Sequence, residues 1–226
     1  MPVESKKRIG VATPWLLLNM RSAFCSTVPE NYFFSHDMQN EKDAIRYYDQ
    51  NLSIFLRELL QVAKDEGYKI ALLSSAVTPV LGAYEQRIKP DKIFLFQTLD
   101  MSMPRQGLAE LIEDVGSAQH AINMINESEH TIDKTVSVAI GNTEKDMSLF
   151  ASTIWPICLN PEPLLKKAAS EEGYPFIIEV NGSLWYLNTD KSFHQREEPR
   201  YSSVRLGPDI IPPKLVEPLV KRLEKI

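Results

Sequence analysis

Cysteine is scarce in this chain. Its two cysteines, Cys25 and Cys158, stand far apart, and neither belongs to a CxxC pair or a Cys/His cluster. That argues against a zinc site. Cys158 lies in the apolar run Ile-Cys-Leu and reads as core. Cys25 sits among small polar residues and reads as an exposed thiol, with a nucleophilic role as the alternative. Long apolar runs are missing too. No segment reaches the roughly 18 apolar residues of a membrane span. The N-terminus lacks a positive region, an apolar core and a small-residue cleavage site in series. The expectation is a cytoplasmic protein without a membrane partner. Basic charge is outweighed: 25 Lys and Arg face 30 Asp and Glu, a formal net charge of −5. The only local basic cluster, Lys6-Lys7-Arg8, reads as a solvated tail. Nucleic-acid binding, which needs Lys and Arg to displace counterions, is not expected.

What remains is ordinary globular material. The chain has 226 residues, 43% apolar and 24% charged, which suits one α/β domain with a small accessory element. A chain of this size buries roughly 70% of its unfolded surface and needs no metal or disulfide to stay folded.

Periodicity orders the elements. Residues 8–18, RIGVATPWLLL, are β-prone, and Pro14 predicts that a central strand ends at or before it, because proline cannot donate to a ladder. Residues 19–43 read as a short insertion. Over residues 42–66, Ile45, Tyr48, Leu52, Phe55, Leu56, Leu59, Leu60 and Ala63 form one apolar stripe, so a single long helix is expected, stopped by Gly67. YKIALLSSA reads as a strand buried on both faces. A helix over 79–88, a short β run at Lys92–Leu95, a loop over 100–107 and a helix near 117–129 follow. TVSVAIG, WPICLN and YPFIIEV are further buried strands, and Pro161 and Pro163 mark a helix start. This alternation implies βαβ units and a parallel sheet. The domain is expected over 1–180. Residues 181–226 are expected to form a polar C-terminal extension that packs on or near the domain and ends in an amphipathic helix interrupted near Pro218.

One stretch is more specific. VSVAIGNTEKDMSLFASTIWPICLNPEPLLKKAASEEGYPFII, residues 136–178, resembles the phosphoserine-phosphatase-like branch of the haloacid dehalogenase superfamily. That branch writes a strand, then GDSxxDxxML, then a short strand ending in NPxxxLxxxAxxxGWPxx. Gly141, Asp146, Asn160-Pro161, Leu164-Leu165, Ala168 and Gly173-Tyr174-Pro175 fall into one gapless register. Upstream, EGYKIALLSSAVTPVL is similar to the second motif, with Ser75 at the phosphoryl-holding serine, and FQTLD resembles a GTxLE-like strand. The resemblance implies a doubly wound, mostly parallel α/β sheet with helices on both faces. Only about thirty residues separate the first strand from the long helix, so the cap should be reduced or absent.

The resemblance also implies an aspartyl-phosphate mechanism. The first Asp of a DxD pair attacks phosphorus, the second protonates the leaving oxygen, a lysine screens charge, and a further Asp helps hold magnesium. A carboxylate can attack only if metal and lysine neutralise the phosphoryl group. No DxD occurs anywhere in the chain. Aligning the first strand on Ile9–Leu18 puts Thr13 at the nucleophile and Trp15 at the acid. Asn142 takes the magnesium Asp and Ser117 the lysine, while Lys89, Lys92 and Lys134 are alternatives for the lysine. Asp146 alone keeps its carboxylate. Magnesium favours carboxylate oxygens, so no metal or other cofactor is expected.

The candidate ligand pocket is Thr13, Trp15, Ser75, Asn142, Thr143 and Asp146. Ser75 and Thr143 either contact an anion with helix N-terminal amides or merely cap helices. Trp15 either roofs a pocket or plugs the old site. Asp146 either bonds backbone amides or binds metal. His36-Asp37 is an outside candidate for an acid/base pair, and His120 and His194 read as isolated. Three functional readings follow: a degenerate member that binds or regulates, with a protein or small anionic ligand as partner and an oligomer allowed; an enzyme with altered chemistry in the old cleft; and a weak phosphate-monoester hydrolase.

Overall fold

The computed structural model describes residues 10–19, 41–74, 78–96, 109–112, 118–180, 183–187 and 210–226. Cys25, His36, Asp37, Ser75, Ser117, His194 and nearly all of the 19–43 insertion lie outside the described residues, and with them the expectation about a cap.

Pro14 divides the first β-prone run into two strands. β1 (Val11–Thr13) pairs in parallel with the short β6 (His130–Ile132). β2 (Trp15–Asn19) enters the main sheet. The hand-over is visible in the backbone: the Thr13 carbonyl accepts from the Asp133 amide at 2.9 Å, and the next carbonyl, Pro14, accepts from Lys69 at 2.9 Å. The expected strand end at Pro14 is thus corrected. The proline, which cannot donate, sits between two strands, and the central strand begins after it.

Among the described residues the main sheet has eight strands, in the order β10-β9-β8-β7-β2-β3-β4-β5. β3 is Lys69–Ser74, β4 Lys92–Phe96, β5 Ala109–Ile112, β7 Val138–Gly141, β8 Trp155–Leu159 and β9 Phe176–Val180. These run parallel to β2, and only β10 (Ser183–Leu187) is antiparallel, paired with β9. After β2 the chain builds one side of the sheet through β3, β4 and β5. From β7 it builds the other side through β8 and β9, so the order reverses between β2 and β7.

Both faces are covered, as a parallel sheet requires. Leu16, Leu18, Ile70, Leu72, Val138, Ile140 and Ile157 point to one face. There they meet α1 (Glu41–Asn51), α2 (Ile54–Asp65), α3 (Thr78–Ile88) and α7 (Pro213–Leu223). Trp15, Leu17, Ala71, Leu73, Ala139 and Cys158 point to the other, against α4 (Ala118–Glu127), α5 (Met147–Phe150) and α6 (Pro163–Glu172). The period-two alternation along β2 therefore sorts its side chains between two cores. This is the doubly wound α/β architecture expected from the sequence.

The single long helix is corrected. It breaks at Leu52-Ser53, where the Ser53 hydroxyl accepts from the Leu56 amide at 3.2 Å and caps α2. Glu179, fully buried on β9, completes the break. Its carboxylate takes the Ser53 hydroxyl at 2.5 Å and the amides of Ile54 and Phe55 at 2.9 and 3.2 Å. A buried carboxylate is tolerated here because it satisfies the orphan amides of a helix start. The C-terminal segment belongs to the main core: Ile210, Ile211, Leu215, Leu219, Val220 and Leu223 pack with α2, and α7 runs through Pro218 without interruption.

Candidate functional site

In doubly wound sheets, ligands bind at the carboxyl ends of the strands where the strand order reverses. Here that place lies between the ends of β2 and β7, at Asn19 and Gly141. Asn142 and Thr143 follow β7 directly, and a single 3-10 turn, Glu144–Asp146, leads into α5. Thr143 is in extended backbone, which aims its amide back toward Asp146.

Asp146 organises the cluster. One oxygen, Oδ2, accepts from the Asn142 and Thr143 amides, both at 2.9 Å, and from the Thr143 hydroxyl at 3.2 Å. The other, Oδ1, accepts from the Asn19 side-chain amide at 2.7 Å. Asp146 thus ties the end of β2 to the end of β7. Burial pushes its carboxyl pKa up, while the hydrogen bonds from Asn19, Thr143 and Asn142 pull it down. The side chain lies so close to β7 that a Cβ on Gly141 would stand 2.4 Å from the Asp146 Cβ and 2.6 Å from Oδ2. Only glycine admits this approach.

Asn142, Thr143 and Asp146 are therefore brought together, and Asn142 is 7% exposed with an Oδ1 that has no hydrogen-bond partner. Of the two readings of Asp146, the geometry shows backbone amides on its carboxylate.

Thr13 and Trp15 are not part of this group. Trp15 pairs with Lys69, the first residue of β3, at the opposite end of the sheet. It stands about 13 Å along the strand from Asn19 at the usual rise per residue. It is core, 2% exposed, with its indole donating to the His130 carbonyl at 3.2 Å. Thr13 pairs with Ile132, and its hydroxyl donates to the Val11 carbonyl at 2.9 Å. A central strand that ends at Pro14 would put Thr13 and Trp15 at its carboxyl end, whereas the strand runs from Trp15 to Asn19. The residue at its carboxyl end is therefore Asn19, which sequence reasoning missed. The run Leu16-Leu17-Leu18 followed by a polar residue was the available signal. The alternative lysines are corrected as well. Lys92 opens β4, Lys89 precedes it and Lys134 precedes β7, so all three sit at the amino ends of strands, away from Asn142. Cys158 lies beside Gly141 in register, and burial pushes its thiol far up, which suits the core role. His120 is exposed on α4.

The donor set can be tested against magnesium. A hard divalent cation needs several oxygens free to face it, carboxylates above all. Among Asn19, Asn142, Thr143 and Asp146 there is one carboxylate, and both its oxygens already accept N–H or O–H donors. The Asn142 oxygen is unpartnered but uncharged. This set does not fit a magnesium ion, and among the described residues no cluster of three or more His, Cys, Asp or Glu is placed to hold a metal.

Fold and site together define a doubly wound α/β protein with a buried polar cluster at the point where its strand order reverses. No family model matches the chain, and no curated protein matches it. Among solved structures it is similar to a chain described as a HAD family hydrolase from Streptomyces avermitilis MA-4680, at 16% identity and a TM-score of 0.35, over 52% of this chain and 60% of that one. It is also similar to a phosphoserine phosphatase from T. onnurineus, at 13% identity and a TM-score of 0.38, over 65% of this chain and 84% of that one. The chain thus spans less than two thirds of the length of the first. No helix among the described residues is long and apolar enough to cross a membrane.

Proposed function

We propose that this chain is a haloacid-dehalogenase-like protein that has lost phosphoryl-transfer chemistry and acts by binding. The observation that carries the reading is Asn19. It occupies the carboxyl end of the central strand, where the resemblance calls for an attacking carboxylate, and it presents an amide bonded to Asp146. An amide neither attacks phosphorus usefully nor helps a metal neutralise a phosphoryl group. Asn142 removes a second carboxylate. Loss of a single electrostatic donor costs roughly 10²–10³ in rate, and groups that act as a unit fail together. Asp146, the remaining carboxylate, is committed to holding two strand ends. It is also the one formal charge among Asn19, Asn142, Thr143 and Asp146. That favours a protein partner, or a ligand group that is neutral or cationic, over the small anion allowed by the sequence.

The test is turnover of a generic phosphate monoester by the purified chain, with and without magnesium. The expected rate equals the buffer blank. A turnover of about 1 per second or more, abolished by Asp146→Asn, would replace the binding reading with a hydrolase that uses Asp146.

A further inference from the structure

We infer that Asn19 does by a hydrogen bond what a bound cation would do in a carboxylate-lined site: it holds the end of β2 against Asp146 with no metal between them. In an all-carboxylate version, position 19 and Asp146 would be like charges at hydrogen-bond distance. They would repel unless a cation stood between them. The amide removes that charge and supplies a donor in the same place, 2.7 Å from Oδ1. Asn142 removes a further charge beside the same carboxylate, to which it gives only its backbone amide. The two asparagines thus act as a matched pair. Together they lower the formal charge of the cluster from −3 to −1, which lets a buried carboxylate stand with no ion beside it.

The pairing has a structural purpose. β2 and β7 are neighbours in register from Leu16↔Val138 to Leu18↔Ile140. Beyond Leu18 their carboxyl ends are joined through Asp146, whose remaining bonds all run to the loop after β7. Asn19 is therefore the cross-strand half of the latch. This inference concerns assembly of the cluster, and its readout is unfolding, which is separate from the turnover that tests the binding reading.

The experiment compares thermal unfolding of the wild type, Asn19→Ala, Asn19→Asp and Asn19→Asp/Asn142→Asp, each in EDTA and in millimolar magnesium. The wild type should melt at the same temperature in both. Asn19→Ala should melt about 5 °C or more lower in both, because it strands one oxygen of a buried carboxylate. The double variant should melt lowest in EDTA and recover in magnesium. A wild type stabilised by magnesium would overturn the inference, and so would an Asn19→Ala variant as stable as the wild type. A double variant indifferent to magnesium while Asn19→Asp matches the wild type would overturn it too. If the aspartate variants fail to fold in either buffer, the wild type and Asn19→Ala decide between these outcomes.

Discussion

Gly141→Ala adds one methyl group at the end of β7, and the structure says what that methyl would strike. Its three nearest atoms would be the Cβ, Cγ and Oδ2 of Asp146, at 2.4, 2.5 and 2.6 Å. These are well inside contact distance, and the struck side chain cannot yield freely because four donors hold it. Either β7 or Asp146 must move. Overpacking alone costs about 1–3 kcal/mol, and a hydrogen bond to a charged group is worth about 1.5–3 kcal/mol. A total near 3–5 kcal/mol is the expected loss in urea unfolding, or roughly 10 °C in melting temperature for a chain of this length. The cause can be isolated with a double-mutant cycle. In an Asp146→Gly background all three struck atoms are gone, so Gly141→Ala should become nearly neutral. In an Asp146→Ala background the Cβ at 2.4 Å stays, so much of the penalty should persist. Additive costs in both backgrounds would refute the assignment of the clash to Asp146. A near-neutral Gly141→Ala in the wild type would refute the packing of Asp146 against β7 altogether.

Two other predictions follow from buried groups outside the cluster. Glu179→Ala should cost about 2–4 kcal/mol, because it leaves the Ser53 hydroxyl and the α2 amides without their acceptor; equal urea midpoints for variant and wild type would show that the α1–α2 break does not depend on it. Stability should also fall in alkali. Burial pushes the Tyr68 phenol up to about 12, and its hydroxyl donates to the Val136 carbonyl at 2.9 Å. The neutral form is the one the fold favours, so its contribution is intact below pH 10 and is lost as pH rises from 10 toward 12. Tyr68→Phe should flatten that decline, and an unchanged alkaline slope in this variant would place the loss elsewhere.

Much of the fold was legible because it rests on local pattern. Leu72, Leu73, Val138 and Ile140 sit in continuous apolar runs, and a run buried on both faces with helices between such runs admits few architectures. The stripe from Ile45 to Ala63 was legible for the same reason. The break inside it was not. Ser53 reads as an ordinary polar position within the helical period, and the residue that makes it a boundary, Glu179, lies 126 positions away. β6, of three residues, and β5, of four, are too short for periodicity to register.

At the site the division is similar. Asn142, Thr143 and Asp146 lie within five residues, so their bonds to one another could be anticipated from sequence spacing alone. Asn19 could not, because its place depends on where the central strand begins. Pro14 is compatible with two layouts: a strand that ends before it, or a chain that changes sheets across it. Both leave its missing N–H unneeded. Composition favours neither, since VAT and WLLLN are both β-prone. Tertiary pairing decides. WLLL has the continuous apolar character of a strand covered on both faces, and its side chains fill both cores. By contrast, Val11 is 66% exposed, which a central strand would not leave at its middle. The central strand is therefore the segment whose every side chain is buried, Trp15 to Leu18, and the polar residue that ends it is the one bonded to Asp146. By that criterion Asn19 follows from the hydrophobic run itself, once the proline is read as a joint between strands.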